Sequence, residues 1–175
     1  IMLDQFLNQL ATTDPIEWLG MATGIAGVYL GIKEKALAWP FFIICYGSYT
    51  YIGYENGLSA FIGMNIVFIG ISLYGWKKWS ALKAADAEII RPTHTAHKDW
   101  PYVGLFVLCG TLLAGFLLSR LDQARLPYLD AFATCCGFTA QWMLSRKHIE
   151  TWIFWILTDI VYLSIFLQGQ SWPSV

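Results

Sequence analysis

Six long apolar stretches run through this chain, and they constrain its fold more than any other feature. The stretches cover roughly Glu17–Ile32, Ala36–Tyr54, Leu58–Trp76, Tyr102–Leu118, Tyr128–Leu144 and Ile149–Gln168. A helix of about 20 mostly apolar residues crosses the hydrocarbon core of a bilayer. Only 13% of the 175 residues are charged, whereas soluble domains carry roughly 25%. The sequence therefore predicts an all-α integral membrane protein with six visible spans.

The basic residues lie on alternating loops. Nine of the eleven Lys and Arg residues follow the first, third or fifth apolar stretch, and only Arg120 and Arg125 lie on the other side. Cytoplasmic loops of membrane proteins are enriched in Lys and Arg. We therefore predict a multi-pass protein whose N-terminus lies outside the cell. The net charge of −1 argues against nucleic acid as a partner.

An internal repeat is indicated when the sequence is shifted by 113 residues. This shift aligns Trp39 with Trp152 and Tyr49 with Tyr162. We predict two parallel-repeat three-helix bundles joined by a linker helix. A seventh helix, the counterpart of the third, is expected but absent from this chain. The predicted parts are an interfacial amphipathic helix (1–13), the first bundle (14–79), a cytoplasmic linker (80–101), the linker transmembrane helix (102–120) and the incomplete second bundle (121–175).

The sixth apolar stretch carries the most specific candidate for a binding site. Trp152, Trp155, Asp159 and Tyr162 fall on one narrow stripe of a helix. A charged residue in the middle of a membrane helix costs ~2.5–3.5 kcal/mol on insertion scales, so it usually serves a pathway or a partner. Two indoles beside a carboxylate suit a flat, cationic heteroaromatic ring. The alternative is that the indoles pack on neighbouring helices while Asp159 bonds a hydroxyl of the fifth helix.

Further candidates for substrate binding lie on three other helices. Phe42, Tyr46 and Tyr49 on the second helix precede Trp155, Asp159 and Tyr162 by the repeat distance, with Tyr46 in place of the acid. Gln141 on the fifth helix either binds a carboxamide or hydroxyl of the ligand or bonds a neighbouring helix. Asn65 on the third helix is a further polar candidate.

Several classes of chemistry have no support in the residue pattern. The sequence shows no nucleophile–base pair, no paired catalytic carboxylates, no metal-ligand spacing of Cys and His, and no phosphate-binding glycine loop. We therefore expect no enzyme, no cofactor and no metal. Two alternatives to a transporter remain open. One is an intramembrane enzyme, for which Asp159 is the only candidate proton donor, and the other is a structural membrane subunit.

Two motifs resemble those of the PnuC-type vitamin transporters. Tyr74-Gly-Trp76-x-x-Trp79 closes the third helix, and Gln141-x5-Lys147-x2-Glu150-x-Trp152-x-x-Trp155 runs from the fifth helix into the sixth. The resemblance covers nearly the whole chain. It implies a fold like that of SWEET-type sugar transporters, with its own topology. The Trp-x-x-Trp motif of the family maps onto Trp152 and Trp155, its glutamine onto Gln141 and, more loosely, an asparagine onto Asn65.

The resemblance also implies a function. Such proteins carry nicotinamide riboside through the bacterial cytoplasmic (inner) membrane by facilitated diffusion, and a cytoplasmic kinase traps the substrate by phosphorylation for NAD synthesis. Related members carry thiamine or riboflavin, and the sequence does not separate these substrates. The expected partners are thus a small vitamin, the lipid bilayer and, through the substrate alone, a kinase. A homo-oligomer is left open.

Overall fold

The structure, a computed structural model, describes residues 13–84, 92–120 and 126–170. Each predicted apolar stretch forms a helix in this part of the chain, which confirms the all-helical fold. The predicted amphipathic helix within residues 1–13 and the chain after Gln170 lie almost entirely outside the described residues. The helices are α1 (Pro15–Ile32), α2 (Ala38–Glu55), α3 (Ser59–Ala84), α4 (Trp100–Leu118), α5 (Pro127–Ser145) and α6 (Thr151–Gln170).

The helix ends follow from local sequence. Pro15 begins α1, where its missing N–H is no loss, and Asp14 caps this end by accepting a hydrogen bond from the Ile16 amide at 2.9 Å. Helix α3 continues past Trp76 to Ala84, into the segment predicted as the linker. The residues after Trp76 are Lys, Trp, Ser, Ala and Leu, none of which breaks a helix. The polar residues after Trp76 mark the end of the apolar stretch, but the helix itself continues beyond them.

In the part of the chain that the structure describes, two helical segments are long and apolar enough to cross a membrane by length and composition. Ser59–Leu82 has 24 residues with a mean hydropathy of 1.5, and His97–Leu118 has 22 residues with a mean hydropathy of 2.0. Thr151–Ile165 is a shorter apolar segment. Large apolar side chains are exposed along α4, including Leu105, Leu108 and Leu113. Such a surface is rare on soluble monomers and suits lipid as the solvent.

The chain divides into two compact units, Ile1–Ala81 and Leu82–Val175. In the first unit α1 packs along α2 through a row of glycines. A Cβ atom on Gly27 would lie 2.7 Å from the Phe42 ring, and one on Gly24 would lie 3.1 Å from Sγ of Cys45. Small residues at these positions let the two helices approach closely, which is a common basis of helix association in lipid.

In the second unit α5 is the central helix, packed against α4 on one side and α6 on the other. A Cβ atom on Gly110 of α4 would lie 2.8 Å from Sγ of Cys135, which shows how close α4 and α5 are. Two hydroxyls of α6 bond carbonyl oxygens of α5: Thr151 donates to Ala140 at 2.6 Å and Thr158 to Ala133 at 3.2 Å. These hydrogen bonds fix which side of α6 faces α5.

Candidate functional site

The predicted stripe on α6 begins at its contact with α5 and turns away from it. Tyr162 and Trp155 lie within about 50° of the α5-facing side, while Trp152 and Asp159 lie about 90–110° round the helix. Trp152 is 36% exposed and Tyr162 38% exposed. Asp159 is also exposed, and Trp155 is half-buried. The indole of Trp152 and the carboxylate of Asp159 are therefore accessible in this unit.

Tyr162 joins the outer part of the stripe to α5. Its hydroxyl donates to Oδ1 of Asp130 at 3.3 Å and lies 3.2 Å from Oγ1 of Thr134. Among the described residues no side-chain hydrogen bond reaches the carboxylate of Asp159, and the hydroxyl of Thr134 contacts Tyr162 and not the acid. Tyr162 thus has a packing role between α5 and α6, and the carboxylate of Asp159 is exposed.

Gln141 lies in a different environment from the tryptophans. Its side chain is fully buried on α5, as is that of Ser145 one turn later. A buried amide needs hydrogen-bond partners inside the protein. In this conformation Gln141 is closed to solvent, so the structure does not bring it to the open face where Trp152 lies.

The candidates on α2 lie in a packed aromatic cluster of the first unit. Phe42 stacks on Tyr46 with ring centroids 6.2 Å apart, and Tyr46 stacks on Phe68 of α3 at 4.7 Å. Tyr49 meets Phe61 edge-on at 6.3 Å. Such pairs stabilise helix packing beyond the area they bury. In the described conformation these rings therefore serve the contact of α2 with α3.

Two further residues of the first unit are enclosed by protein. Asn65 is 2% exposed, and its Nδ2 donates to the carbonyl of Phe61 within α3 at 2.8 Å. Trp39, which the predicted repeat pairs with Trp152, is 0% exposed and meets Trp79 edge-on at 5.3 Å. The two tryptophans thus lie in opposite environments, one enclosed and one open.

The linker forms a junction with the α5–α6 loop that the sequence did not predict. The backbone N–H of Thr93 donates to the carbonyl of Lys147 at 3.0 Å, and that of Ile149 donates to the carbonyl of Thr93 at 3.1 Å. These two hydrogen bonds form a short parallel bridge. The segment after Pro92 is therefore fixed against the loop that precedes α6.

The side chain of Glu150 completes this junction. Its Oε2 accepts hydrogen bonds from the N–H of Thr95 at 3.0 Å and from the hydroxyl of Thr95 at 2.9 Å, and its Oε1 lies 2.9 Å from Nδ1 of His94. Since the single hydroxyl proton of Thr95 goes to Glu150, Nδ1 of His148, 2.9 Å from the same hydroxyl, must be the donor. The carboxylate is thus surrounded by donors.

The charge state of Glu150 follows from these contacts. Burial alone would raise its pKa, but hydrogen bonds from His94, from its own backbone and from Thr95 outweigh burial and lower the pKa to about 2. His94 is 80% exposed and still bonds this carboxylate. The described ranges contain no cluster of His, Cys, Asp or Glu arranged to hold a metal ion. At the centre of the junction, Glu150 is therefore an ionised carboxylate held by hydrogen bonds.

The sequence held only a partial signal for this junction. Glu150 directly precedes an apolar helix and follows a basic pair, Arg146 and Lys147. Its partners Thr95 and His94 lie more than 50 residues earlier, so no local period connects them. The sequence motif from Gln141 to Trp155 includes Glu150, but its hydrogen-bond partners are visible only in the structure.

Comparison with known proteins places this fold among transporters. Residues 14–175 match the family model described as nicotinamide mononucleotide transporter. The nicotinamide riboside transporter PnuC of Neisseria mucosa is 26% identical over 170 residues, which cover 91% of this chain and 62% of that protein. PnuC of Haemophilus influenzae is 28% identical over 167 residues, or 92% of this chain and 72% of the relative.

A relative with a different substrate in its name is equally similar in extent. The riboflavin/roseoflavin transporter RibM of Streptomyces davaonensis is 23% identical over 165 residues, which cover 90% of this chain and 75% of that protein. The crystal structure of the vitamin B3 transporter PnuC matches with a TM-score of 0.70 at 22% identity, over 92% of this chain and 71% of that chain. The fold is therefore like that of PnuC. The chain spans 62% of the Neisseria relative's length.

Proposed function

Because the chain belongs to the nicotinamide mononucleotide transporter family, we propose that it carries nicotinamide riboside across a bacterial inner membrane. The family match extends over residues 14–175, and its members are transporters rather than enzymes. The structural observation that carries the proposal is the open stripe on α6, where Trp152 and Asp159 are exposed and Trp155 is half-buried. Indoles stack on a pyridinium ring, and the carboxylate attracts its positive charge.

The charge pattern favours the riboside over the mononucleotide. A phosphate group needs Arg or Lys donors when it leaves water. Helices α1, α2, α4, α5 and α6 contain no Lys or Arg, and Asp159 repels an anion. Nicotinamide riboside has the cationic ring and lacks the phosphate. The described helices therefore suit the nucleoside better.

We assign the remaining candidates to the same substrate. Tyr162 supplies a further ring contact. Phe42, Tyr46 and Tyr49 pack between α2 and α3 here, so we place their ring contacts with the substrate in another conformation of the transport cycle. Gln141 and Asn65 are wholly enclosed here, so the proposal places their contact with the carboxamide or ribose hydroxyls in another conformation of the transport cycle. Transporter sites near the bilayer midplane are exposed alternately to the two sides. The buried amides fit a site that opens during transport.

The finer architecture is part of the same proposal. It consists of two parallel-repeat three-helix bundles of the SWEET type joined by α4 as the linker helix, with six spans in the part of the chain that the structure describes. The N-terminus lies outside, which the basic residues of alternating loops support. Transport is facilitated diffusion, and a cytoplasmic kinase traps the nucleoside for NAD synthesis.

Riboflavin is the second candidate substrate, because RibM is a relative of similar extent. A flavin also stacks on indoles, but its ring system is neutral. It therefore gains little from Asp159. The response to loss of that charge distinguishes the two substrates.

Uptake into proteoliposomes tests the proposal. The purified full chain is expected to take up labelled nicotinamide riboside saturably, and nicotinamide mononucleotide poorly. Trp155→Ala should abolish most of this uptake. Trp18→Ala, which removes an indole 38% exposed on α1, is the control and should leave it unchanged. Riboflavin uptake without riboside uptake would transfer the assignment to the second candidate. Uptake of neither would overturn the transport function.

A further inference from the structure

The first turn of α6 is held from two sides. On one side Thr151 donates its hydroxyl to the carbonyl of Ala140 on α5 at 2.6 Å. On the other side Glu150, the residue before Thr151, accepts both hydrogen bonds of Thr95 in the linker. Trp152 follows directly in sequence and Trp155 one turn later. The indoles of the α6 stripe therefore stand on a helix start whose orientation is fixed by these contacts.

The contacts of Glu150 are costly to break. The residue is 8% exposed, and a buried carboxylate without donors is strongly unfavourable. Thr95, 6% exposed, gives it two of its donors. The neighbouring Lys147 has a φ of 60°, which a non-glycine residue rarely adopts, and its carbonyl is held by Thr93. Loop and linker thus support each other in one geometry.

We propose that Glu150 is a positioning residue for transport, which fixes the first turn of α6 through Thr95 and thereby orients the indoles of Trp152 and Trp155 toward the substrate. This inference rests on the proposed function, because it needs a ligand that those indoles bind. Sites of this kind require their side chains to be held within about 0.5 Å of the productive geometry. The linker is then part of the binding machinery without touching the substrate.

The test compares variants that each change one side chain of the junction. Thr95→Val removes the hydroxyl, and with it the bonds to Glu150 and His148, but keeps the shape. Thr95→Ser keeps the hydroxyl, and Glu150→Gln removes the charge. The Kd for nicotinamide riboside is measured on purified, folded protein, together with the Tm and with the KM and maximal rate of uptake. Thr23→Val is the matched control, because Thr23 is a buried threonine whose hydroxyl bonds only its own helix.

We expect Thr95→Val and Glu150→Gln to raise the Kd and KM about tenfold, the value for the loss of one charge-assisted hydrogen bond. Thr95→Ser and Thr23→Val should stay close to the parent protein. If Glu150→Gln does not fold, Thr95→Val carries the test. A lower Tm with an unchanged Kd would reduce the junction to a stabilising contact and overturn the positioning role.

A double-mutant cycle tests whether the junction acts through the indoles. In the Trp152→Ala background, Thr95→Val should weaken binding much less than it does in the parent protein. An equal effect in both backgrounds would overturn the proposed route. If the parent protein binds no nicotinamide riboside, the proposed function fails and this inference with it. If the parent binds and the junction variants bind equally well, only this inference fails.

Discussion

The hydroxyl of Tyr162 on α6 donates a hydrogen bond to Oδ1 of Asp130 near the start of α5, across 3.3 Å. The two residues are 32 positions apart, and the contact joins the first turn of α5 to the middle of α6. It complements the bond from Thr151 to Ala140 near the connecting loop. Helices α5 and α6 are thus hydrogen-bonded to each other both near that loop and away from it.

Tyr162→Phe should lower the stability of the second unit modestly. A hydrogen bond of this kind contributes about 0.5–1.5 kcal/mol, and Tyr162 is partly exposed, so the lower end of that range is expected. The measurement is the Tm in detergent. Tyr102→Phe, at a residue 72% exposed, is the control. Equal Tm values for the two variants would show that the bond to Asp130 contributes nothing.

Gly75→Ala should destabilise the first unit. A Cβ atom on Gly75 would clash with the indole of Trp39, which is fully buried and cannot move aside. Overpacking of this kind costs about 1–3 kcal/mol. Gly70 lies on the same helix, and a Cβ atom added there would meet nothing within 4 Å. Gly70→Ala is therefore the matched control and should be neutral or slightly stabilising. Equal thermal stability of both variants would contradict the packing of α2 on α3.

The contribution of Glu150 to stability should depend on pH. Its pKa in the folded protein is about 2, below the value of about 4.3 in an unfolded chain. The ionised group therefore stabilises the fold fully above about pH 4.3, and this contribution is lost as the pH falls toward 2. His94 donates to this carboxylate through Nδ1, and His148 donates through Nδ1 to the hydroxyl of Thr95.

The measurement is the Tm difference between the parent protein and Glu150→Gln. The parent should be more stable at pH 7, and the difference should shrink between about pH 5 and pH 3. His94→Gln should have a smaller effect at every pH, because His94 is 80% exposed and water screens its bond. A Tm difference that stays constant down to pH 3 would contradict the role of the carboxylate.

Asp159→Asn should weaken the binding of nicotinamide riboside about tenfold, since a direct charge–charge contact is lost. Asp159 is exposed, so the fold should persist. Asp159→Glu retains the charge and should bind within a few-fold of the parent protein. The Kd is measured by titration of tryptophan fluorescence. We expect Asp159→Asn to leave the affinity for riboflavin unchanged. An unchanged affinity for nicotinamide riboside would show that Asp159 is not part of the binding site.

The helices were predictable because apolar stretches report directly on burial and on lipid. Their ends were less so: α3 runs to Ala84 because Lys and Ala extend a helix as readily as Leu does. Whether the candidates on α6 bind substrate stays a prediction. Burial was harder to foresee. The predicted repeat pairs Trp39 with Trp152, yet only Trp39 is enclosed by Trp79 and Gly75. A sequence period predicts which face of a helix a residue lies on, but it does not predict what covers that face.

The junction around Glu150 escaped prediction for a different reason. Its hydrogen bonds join Thr95 to a loop 55 residues later, and such pairings leave no trace in helical periodicity. His94 is exposed over most of its surface, and nothing in the sequence around it indicates that its Nδ1 bonds Glu150. A polar residue at the start of a helix can therefore bond a linker that is distant in sequence.

The row of glycines along α1 also bears on motion. Side chains of α2 such as Phe42 and Cys45 sit directly on the α1 backbone at Gly27 and Gly24, so no layer of flexible side chains separates the two helices. Such an interlocked pair is expected to travel as a single rigid block, since parting it would expose backbone to lipid. Any alternation of the first unit between inward and outward access would then have to pivot at the block's edges, and not along the seam between α1 and α2.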